Sequence, residues 1–378
     1  MKTLEENQTE RTIGKNLSMA SEKSRTQGEE RRERITQELP TEEFETSQKR
    51  KIVRLSINTL PYLYNSIYIV LGDEGAFLID LGYMTDFNKF LNKFSQEITQ
   101  KYGVKIEDVK ALFITHAHID HFGGINLIRN VNPNIEVYVH EVDSKAVERF
   151  EEVFIYARHY LKIFLARAGL DEEGIKTYVS MYTASKEFLR SAKITRALHD
   201  GDKLYGFEVV HTPGHSPGHM CLILDDVIFT GDHILPYITP HQFPESIMKY
   251  TGVGHYIESL DKVREIVLKR KISLGLPAHY SVIEDVVKRI DEIKEHHRNR
   301  MRAILDMCKE PLTIVEITER MFPDKKGYQF ILALDEVGAH VEYLWDRGFL
   351  GINNIDDFLK DDDVPARWVS VRNYYPKI

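Results

Sequence analysis

The chain has 378 residues, of which 42% are hydrophobic and 29% charged. At about 100–200 residues per domain this predicts two or three compact units with apolar material for a large core. A formal net charge of −8 excludes a polycation that coats nucleic acid. The two cysteines, Cys221 and Cys308, lie far apart and exclude a disulfide scaffold or a Cys-rich zinc ribbon. No apolar run reaches the ~18–20 residues of a membrane span. The charged segment Met1–Glu10 has no signal-peptide core, so no membrane association and cytoplasmic residence are expected.

Residues 1–48 form a compositional zone of their own. Before Lys51 there are ten Lys/Arg and eleven Asp/Glu but one aromatic, Phe44. Such a segment buries too little apolar area to offset its ordering entropy, and it is expected to be a disordered tail, with at most a transient charged helix over Glu29–Glu38. From Lys51 onward, Ile52–Asn58, Ser66–Leu71 and Ala76–Leu81 read as strands, the last two joined by the turn Gly72-Asp73-Glu74-Gly75. Phe87–Tyr102 carries helical periodicity, Val109–Thr115 reads as a strand, Ile125–Asn130 as a helix and Ile135–His140 as a strand. Residues 141–192 read as several helices. Strands return at Phe207–Thr212, Met220–Leu224 and Val227–Thr230, followed by a helix over Tyr256–Arg270 and a strand over Ser273–Pro277. The pattern fits two packed sheets with outer helices better than a doubly wound parallel sheet. Beyond Ser281 the chain becomes helical: Val282–Lys309, a capping-box start at Thr313-Ile314-Val315-Glu316, and Phe330–Asp346. Phe349–Ile352 and Arg367–Val371 then suggest a small β wing.

The segment Thr115-His116-Ala117-His118-Ile119-Asp120-His121 places four metal-ligand side chains directly after an apolar strand. Imidazole suits zinc, and a carboxylate adds charge compensation. Strand alternation would turn His116 and His118 toward one metal, leaving Asp120 and His121 to face a second.

This ordered H-x-H-x-D-H resembles the metallo-beta-lactamase-fold hydrolases, and four further motifs, one before it and three after, stand in that family's order. They are Asp80 in Phe77-Leu78-Ile79-Asp80, His215 in Thr212-Pro213-Gly214-His215, Asp232 in Phe229-Thr230-Gly231-Asp232, and His279 in Leu276-Pro277-Ala278-His279. The resemblance implies a four-layer αβ/βα sandwich of α+β class over residues 49–280, with a helical insertion at about 141–192 and a winged-helix-like module over 281–378. It implies that His116, His118 and His215 hold one metal, that Asp120, His121 and His279 hold the second, and that Asp232 bridges them. Two divalent ions roughly 3.5–4 Å apart, with zinc expected and iron or manganese as alternatives, would share a hydroxide that attacks the substrate. Asp120 and Asp232 are thus the candidate catalytic carboxylates. Asp80 and His219 would stand behind the ligands and orient them, although His219 could equally be a packed turn residue.

Four side chains are candidates for touching substrate. His233 follows the bridging Asp232, Tyr237 lies in a Pro- and aromatic-rich segment, Tyr280 stands where the family often has Gly, and His159 lies in the insertion. For each, ordinary packing is the competing reading. An insertion rich in aromatics (Phe154, Tyr156, Tyr160, Phe164) suggests an apolar lid, and hence an ester or thioester of a small, partly apolar acyl substrate. The alternative is an endoribonuclease of the winged-helix subgroup. From Arg300 onward, however, eleven Lys/Arg face fourteen Asp/Glu, including Asp361-Asp362-Asp363, which disfavours phosphate binding and a nucleic-acid partner. The C-terminal module then reads as a packing or homodimerisation element.

Overall fold

A computed structural model describes residues 39–60, 63–184, 186–361 and 364–378. The expected tail lies outside the described residues up to residue 38, and so do the charged helix over Glu29–Glu38 and Asp362-Asp363 of the acidic cluster. The last part of the expected tail is not a tail. Glu42–Glu45 form strand β1, which pairs antiparallel with β2 (Lys51–Leu60) and sets Phe44 opposite Ile52. Polar anchors hold the connection. Thr46 Oγ1 donates to Asp225 at 2.5 Å, the Ser47 N–H donates to Asp226 at 2.7 Å, and Arg50 pairs with Asp225 at 2.6 Å. The charged composition concealed this strand, and the groups that anchor the turn after it, Asp225 and Asp226, are distant in sequence.

Two sheets form the inner layers. One runs β1 to β7 in sequence order, adding β3 (Leu63–Gly72), β4 (Gly75–Ile79), β5 (Val109–Phe113), β6 (Glu136–His140) and β7 (Arg196–Leu198). It is antiparallel through β4 and parallel from β4 to β7. The other has the order β12-β11-β10-β9-β8, from Leu274–Pro277, Val227–Gly231, Met220–Leu224, Phe207–His211 and Lys203–Leu204. Strand periodicity sorts the side chains. Tyr68 and Val70 of β3, with Phe77 and Phe113, meet Phe207, Leu222 and Phe229 between the sheets. Ile67 and Ile69, one residue out of phase, face Phe90, Phe94, Ile125 and Ile128 of the outer helices. On the far side, Cys221 and Ile223 face Tyr256, Leu260, Ile290 and Ile293. The result is a helix–sheet–sheet–helix sandwich. The sequence reading missed β7 and β8, which are two or three residues long and carry no alternation.

A fourth apolar core departs from the expected division of the chain. The insertion helix Phe150–Ala168 packs on the sandwich through Phe150 and Phe154 at its start, but its later turns pack elsewhere. Its Leu161, Phe164, Leu165 and Ala168 share one cluster with Met301, Ile304, Leu305, Ile317, Leu334, Val337 and Trp368 of the C-terminal segment. Contact is close enough that a Cβ on Gly338 would lie 2.5 Å from Phe164 Cζ. Gly169 ends the insertion helix in the left-handed region (φ 103°) and packs on Thr313, the N-cap of the capping box that opens Ile314–Met321. A long helix, Val286–Met307, joins the sandwich to this cap. The cap is completed by Tyr328–Asp346 and an antiparallel pair, β13 (Leu350–Ile352) with β14 (Trp368–Ser370). Among the described residues no helix is long and apolar enough to cross a membrane.

Candidate metal centre

Strand termini bring the motif residues to one edge of the sandwich. Asp80 follows β4, His116 to His121 follow β5, His215 lies between β9 and β10, Asp232 follows β11, and His279 follows β12. Strand β5 ends at Phe113, two residues short of the predicted end, so His116 and His118 sit on a loop and alternation is not what converges them. Hydrogen bonds converge them instead. Asp80 adopts φ 58°, a conformation Asp tolerates better than most residues. Its carboxylate accepts from the Thr115 N–H (2.8 Å), the Thr115 hydroxyl (2.8 Å) and His121 Nδ1 (2.9 Å). With the Thr115 proton given to Asp80, the Thr115 oxygen accepts from His116 Nδ1 at 3.1 Å. His215 Nδ1 donates to the His241 carbonyl (2.8 Å), and His279 Nδ1 to the Tyr64 carbonyl (3.0 Å). Each of these four imidazoles therefore carries its proton on Nδ1 and turns the Nε2 lone pair inward.

Two ligand groups result, His116/His118/His215/Asp232 and Asp120/His121/His279, each with candidate donor atoms within 4.8 Å of one another. His116 Nε2 and His118 Nδ1 are 2.9 Å apart. Asp232 joins the groups: its oxygens lie 3.4 Å from His215 Nε2, 3.7 Å from His121 Nε2 and 3.2 Å from His279 Nε2. Asp120 is 3.6 Å from both His121 and His279. Asn65 donates to the Asp120 carbonyl at 2.6 Å and to its carboxylate at 3.3 Å.

These residues fit divalent cations on two grounds. His121 Nε2, His215 Nε2 and Asp232 Oδ1 are buried and have no hydrogen-bond partner among the described residues, a costly arrangement that coordination would relieve. The electrostatics also call for positive charge. Burial opposes protonation of His121, yet Asp120, Asp80 and Asp232 outweigh it and push its pKa up to about 10. Burial and neighbouring imidazoles hold His116 and His118 well below the ordinary histidine range, neutral and fit to ligate.

A model of the Metallo-beta-lactamase superfamily matches residues 60–279, more than half of the chain. The chain belongs to the metallo-beta-lactamase superfamily of hydrolases. It is 23% identical over 288 residues to the "Probable metallo-hydrolase YqjP" of Bacillus subtilis (strain 168), covering 74% of this chain and 86% of that protein. It is 27% identical over 258 residues to the "Beta-lactamase-like protein 2 homolog" of Caenorhabditis elegans, covering 66% and 70%. A metallo-beta-lactamase family protein from Thermus thermophilus superposes with a TM-score of 0.66 at 24% identity, over 84% of this chain and 98% of that one. A beta-lactamase domain protein from Burkholderia ambifaria gives 0.66 at 22% identity, over 87% and 94%. Both structures share the fold across the cap as well as the sandwich.

Within this metallo-beta-lactamase fold, His219 lies directly beneath Asp232. Its Nε2 accepts from the Asp232 N–H at 3.1 Å while Thr212 Oγ1 holds its Nδ1 at 2.7 Å. Gly231 (φ 49°) permits this approach, since a Cβ there would lie 2.6 Å from His219 Nε2. His233 is corrected. It is fully buried beneath the site, edge to face with Tyr256 at 5.1 Å, and presents no surface to substrate. His159 lies on the exposed face of its helix against Tyr160, and among the described residues no contact joins it to the centre. Tyr237 and Tyr280 pair with ring centroids 6.0 Å apart beside His279. Tyr280 sits at φ 68°, which gives the reason Gly suits this position.

Sequence reasoning missed Asp143. Buried at the start of the Glu141–Glu148 helix, its carboxylate accepts from the Ala117 N–H (2.8 Å), the Gly218 N–H (2.7 Å) and Ser216 Oγ (3.0 Å). It thus ties the His116–His121 loop to the His215 turn. A Cβ on Gly218 would lie 2.4 Å from Asp143 N, so that glycine was the available signal. Asn65 and His241 had none.

Proposed function

We propose that the chain is a dinuclear metal-dependent hydrolase, with zinc the expected metal, that cleaves an ester or thioester of a small, partly apolar acyl substrate. The observation that carries this reading is the pair of ligand groups sharing Asp232, with the inward Nε2 atoms of His121 and His215 left without a hydrogen-bond partner among the described residues. Cations bound there lower the pKa of water toward neutrality and polarise the scissile acyl oxygen. The chain's own residues supply orientation. Asp80, Thr115 and the carbonyls of His241 and Tyr64 fix the ligand tautomers, and Asn65 holds Asp120.

The surroundings favour a small acyl group. The Tyr237–Tyr280 pair flanks His279. On the insertion side, Lys186 Nζ sits 3.8 Å from the centre of the Tyr182 ring, which stacks on Phe154. Burial pulls Lys186 down to about 8, offset in part by the charges of Asp335 and Asp120. This ammonium makes no ion pair among the described residues and suits an acyl chain that ends in a carboxylate. The test is turnover of a panel of esters and thioesters, with single-stranded RNA in parallel, before and after chelation. Ester or thioester cleavage that is lost on chelation and restored by zinc is expected. Metal-independent turnover, or cleavage of RNA alone, overturns the reading.

A further inference from the structure

The cap reaches the segment behind the metal centre through two carboxylates, Asp335, 3.7 Å from His241 Nε2, and Glu336. His215 Nδ1 donates to the His241 carbonyl at 2.8 Å, and the next backbone N–H, that of Gln242, donates to Glu336 Oε2 at 2.9 Å. Glu336 belongs to the Tyr328–Asp346 helix of the cap and is itself fixed twice. Arg300, from the Val286–Met307 helix, donates to its Oε1, and His241 Nδ1 lies 3.7 Å from its Oε2. The segment it grips cannot rearrange freely, because Gln242 is fully buried and its amide donates to the Pro240 carbonyl at 3.1 Å.

The helix that carries Glu336 is pinned from behind. His340 Nδ1 donates to the Glu336 carbonyl at 2.6 Å, so its Nε2 accepts from His297 Nδ1 at 2.9 Å. Glu336, His297 and His340 have the ligand types and spacing of a metal site. Arg300 on the Glu336 carboxylate and the committed imidazole protons argue against a cation there. The cluster is a strut.

We infer that Glu336 is a positioning residue for the candidate metal ligand His215. The carboxylate sets where the His241 carbonyl stands, and that carbonyl sets the tautomer and aim of the His215 ring. A ligand's hydrogen-bond partner typically contributes about 10–100-fold in metal affinity, and Glu336 acts one step further back through a rigid backbone link. The cap is then part of the metal site and not only its cover.

Zinc affinity of the full-length metal-free protein, read by chelator competition without substrate, tests this apart from any assigned reaction. Glu336→Ala leaves the Gln242 N–H and Arg300 without their acceptor. It is expected to weaken zinc binding about tenfold, at the lower end of that range, while Glu336→Gln, which keeps an acceptor for Gln242, recovers most of the affinity. Leu334→Ala, two residues away in the apolar cap core, is the comparison for a purely structural effect. Cap integrity is read from tryptophan fluorescence, since Trp345 and Trp368 are the chain's two tryptophans and both lie in the cap. Wild-type zinc affinity in Glu336→Ala overturns the inference. So does an equal loss of affinity in Leu334→Ala at a matched loss of thermal stability. Should Glu336→Ala fail to fold, Glu336→Met, which fills the space but offers the Gln242 N–H no oxygen acceptor, takes its place, and wild-type affinity in that variant is equally decisive.

Discussion

The metal basin and the helical cap are both buried, but different forces hold them. In the basin, polar side chains on loops are fixed by directional bonds: Asp80 accepts three, Asp143 accepts three, and His116, His121, His215 and His279 each have an outward partner at Nδ1. In the cap, Leu161, Phe164, Leu334, Val337 and Trp368 interlock without such bonds, each large apolar side chain contributing roughly 1.5–3 kcal/mol by burial. Directional bonds fix atoms to within tenths of an ångström, which ligation requires. Apolar packing fixes helices as bodies, which suffices to wall a cleft. The difference teaches where substitutions should separate chemistry from stability.

The sharpest way to test that contrast is inside the basin. Asp120→Asn keeps the shape and the contact with Asn65 but removes a carboxylate from between His121 and His279. Turnover is expected to fall by about 10²–10³-fold or more, the scale on which single preorganised electrostatic groups act. Tryptophan fluorescence from the cap should be unchanged. Steady-state kinetics beside a thermal melt checks both, and retained full rate removes Asp120 from its role.

Asp143→Ala comes next and probes the scaffold instead of the ligands. It strands three donors, each costing about 1–3 kcal/mol when left unmade, so a loss of about 3 kcal/mol or more in stability is expected together with ~10–100-fold weaker zinc binding. Denaturant unfolding and chelator competition measure the two. If zinc affinity held while stability fell, the loops would be positioned without Asp143.

These two carboxylates also show what the sequence made legible. Asp120 was readable because metal chemistry demands particular side chains at short spacing, and the spacing survives in the linear order. Asp143 was not, because a carboxylate gripping two backbone N–H groups from loops 26 and 75 residues away leaves no local pattern. The two sheets were legible through alternation, and the C-terminal helices through periodicity and the Thr313 capping box. The shared core of insertion and C-terminal segment was not, since it depends on which apolar faces meet. Gly338 against Phe164 is decided only in three dimensions. Strand β1 was hidden for a related reason, because the turn that follows it is anchored on Asp225 and Asp226, far along the chain.

Acid should loosen the cap. Burial holds His340 down to about 4 and His297 well below the ordinary range, so both are neutral when folded. Below pH 6.5 the unfolded chain takes up protons that the folded cap refuses. Stability is therefore full above about pH 6.5 and is lost as pH falls toward 4, by up to about 1.4 kcal/mol per pH unit for each imidazole. Denaturant melts of the metal-free protein at pH 7.5 and 5.5, followed by tryptophan fluorescence, are expected to show the loss, and His340→Gln should flatten the slope by about one proton. Unchanged stability between the two pH values would mean that these imidazoles are not held neutral.

The smallest effect lies where basin and cap face each other. Lys186 has no carboxylate partner among the described residues, and its charge is coupled to Asp120 on one side and Asp335 on the other. If it receives the far end of an anionic acyl substrate, Lys186→Met should raise KM about fivefold for an ester ending in a carboxylate, the equivalent of roughly 1 kcal/mol for a partly solvated charge-assisted contact. KM for the neutral methyl ester of the same acyl chain should change less, and kcat should change little for either, because the ammonium binds both ground state and transition state. Paired kinetics on the two substrates decides the matter. An equal change in both substrates would place Lys186 with the cap's packing, through its seat on Tyr182, and would leave recognition of the acyl group to the tyrosine pair beside His279.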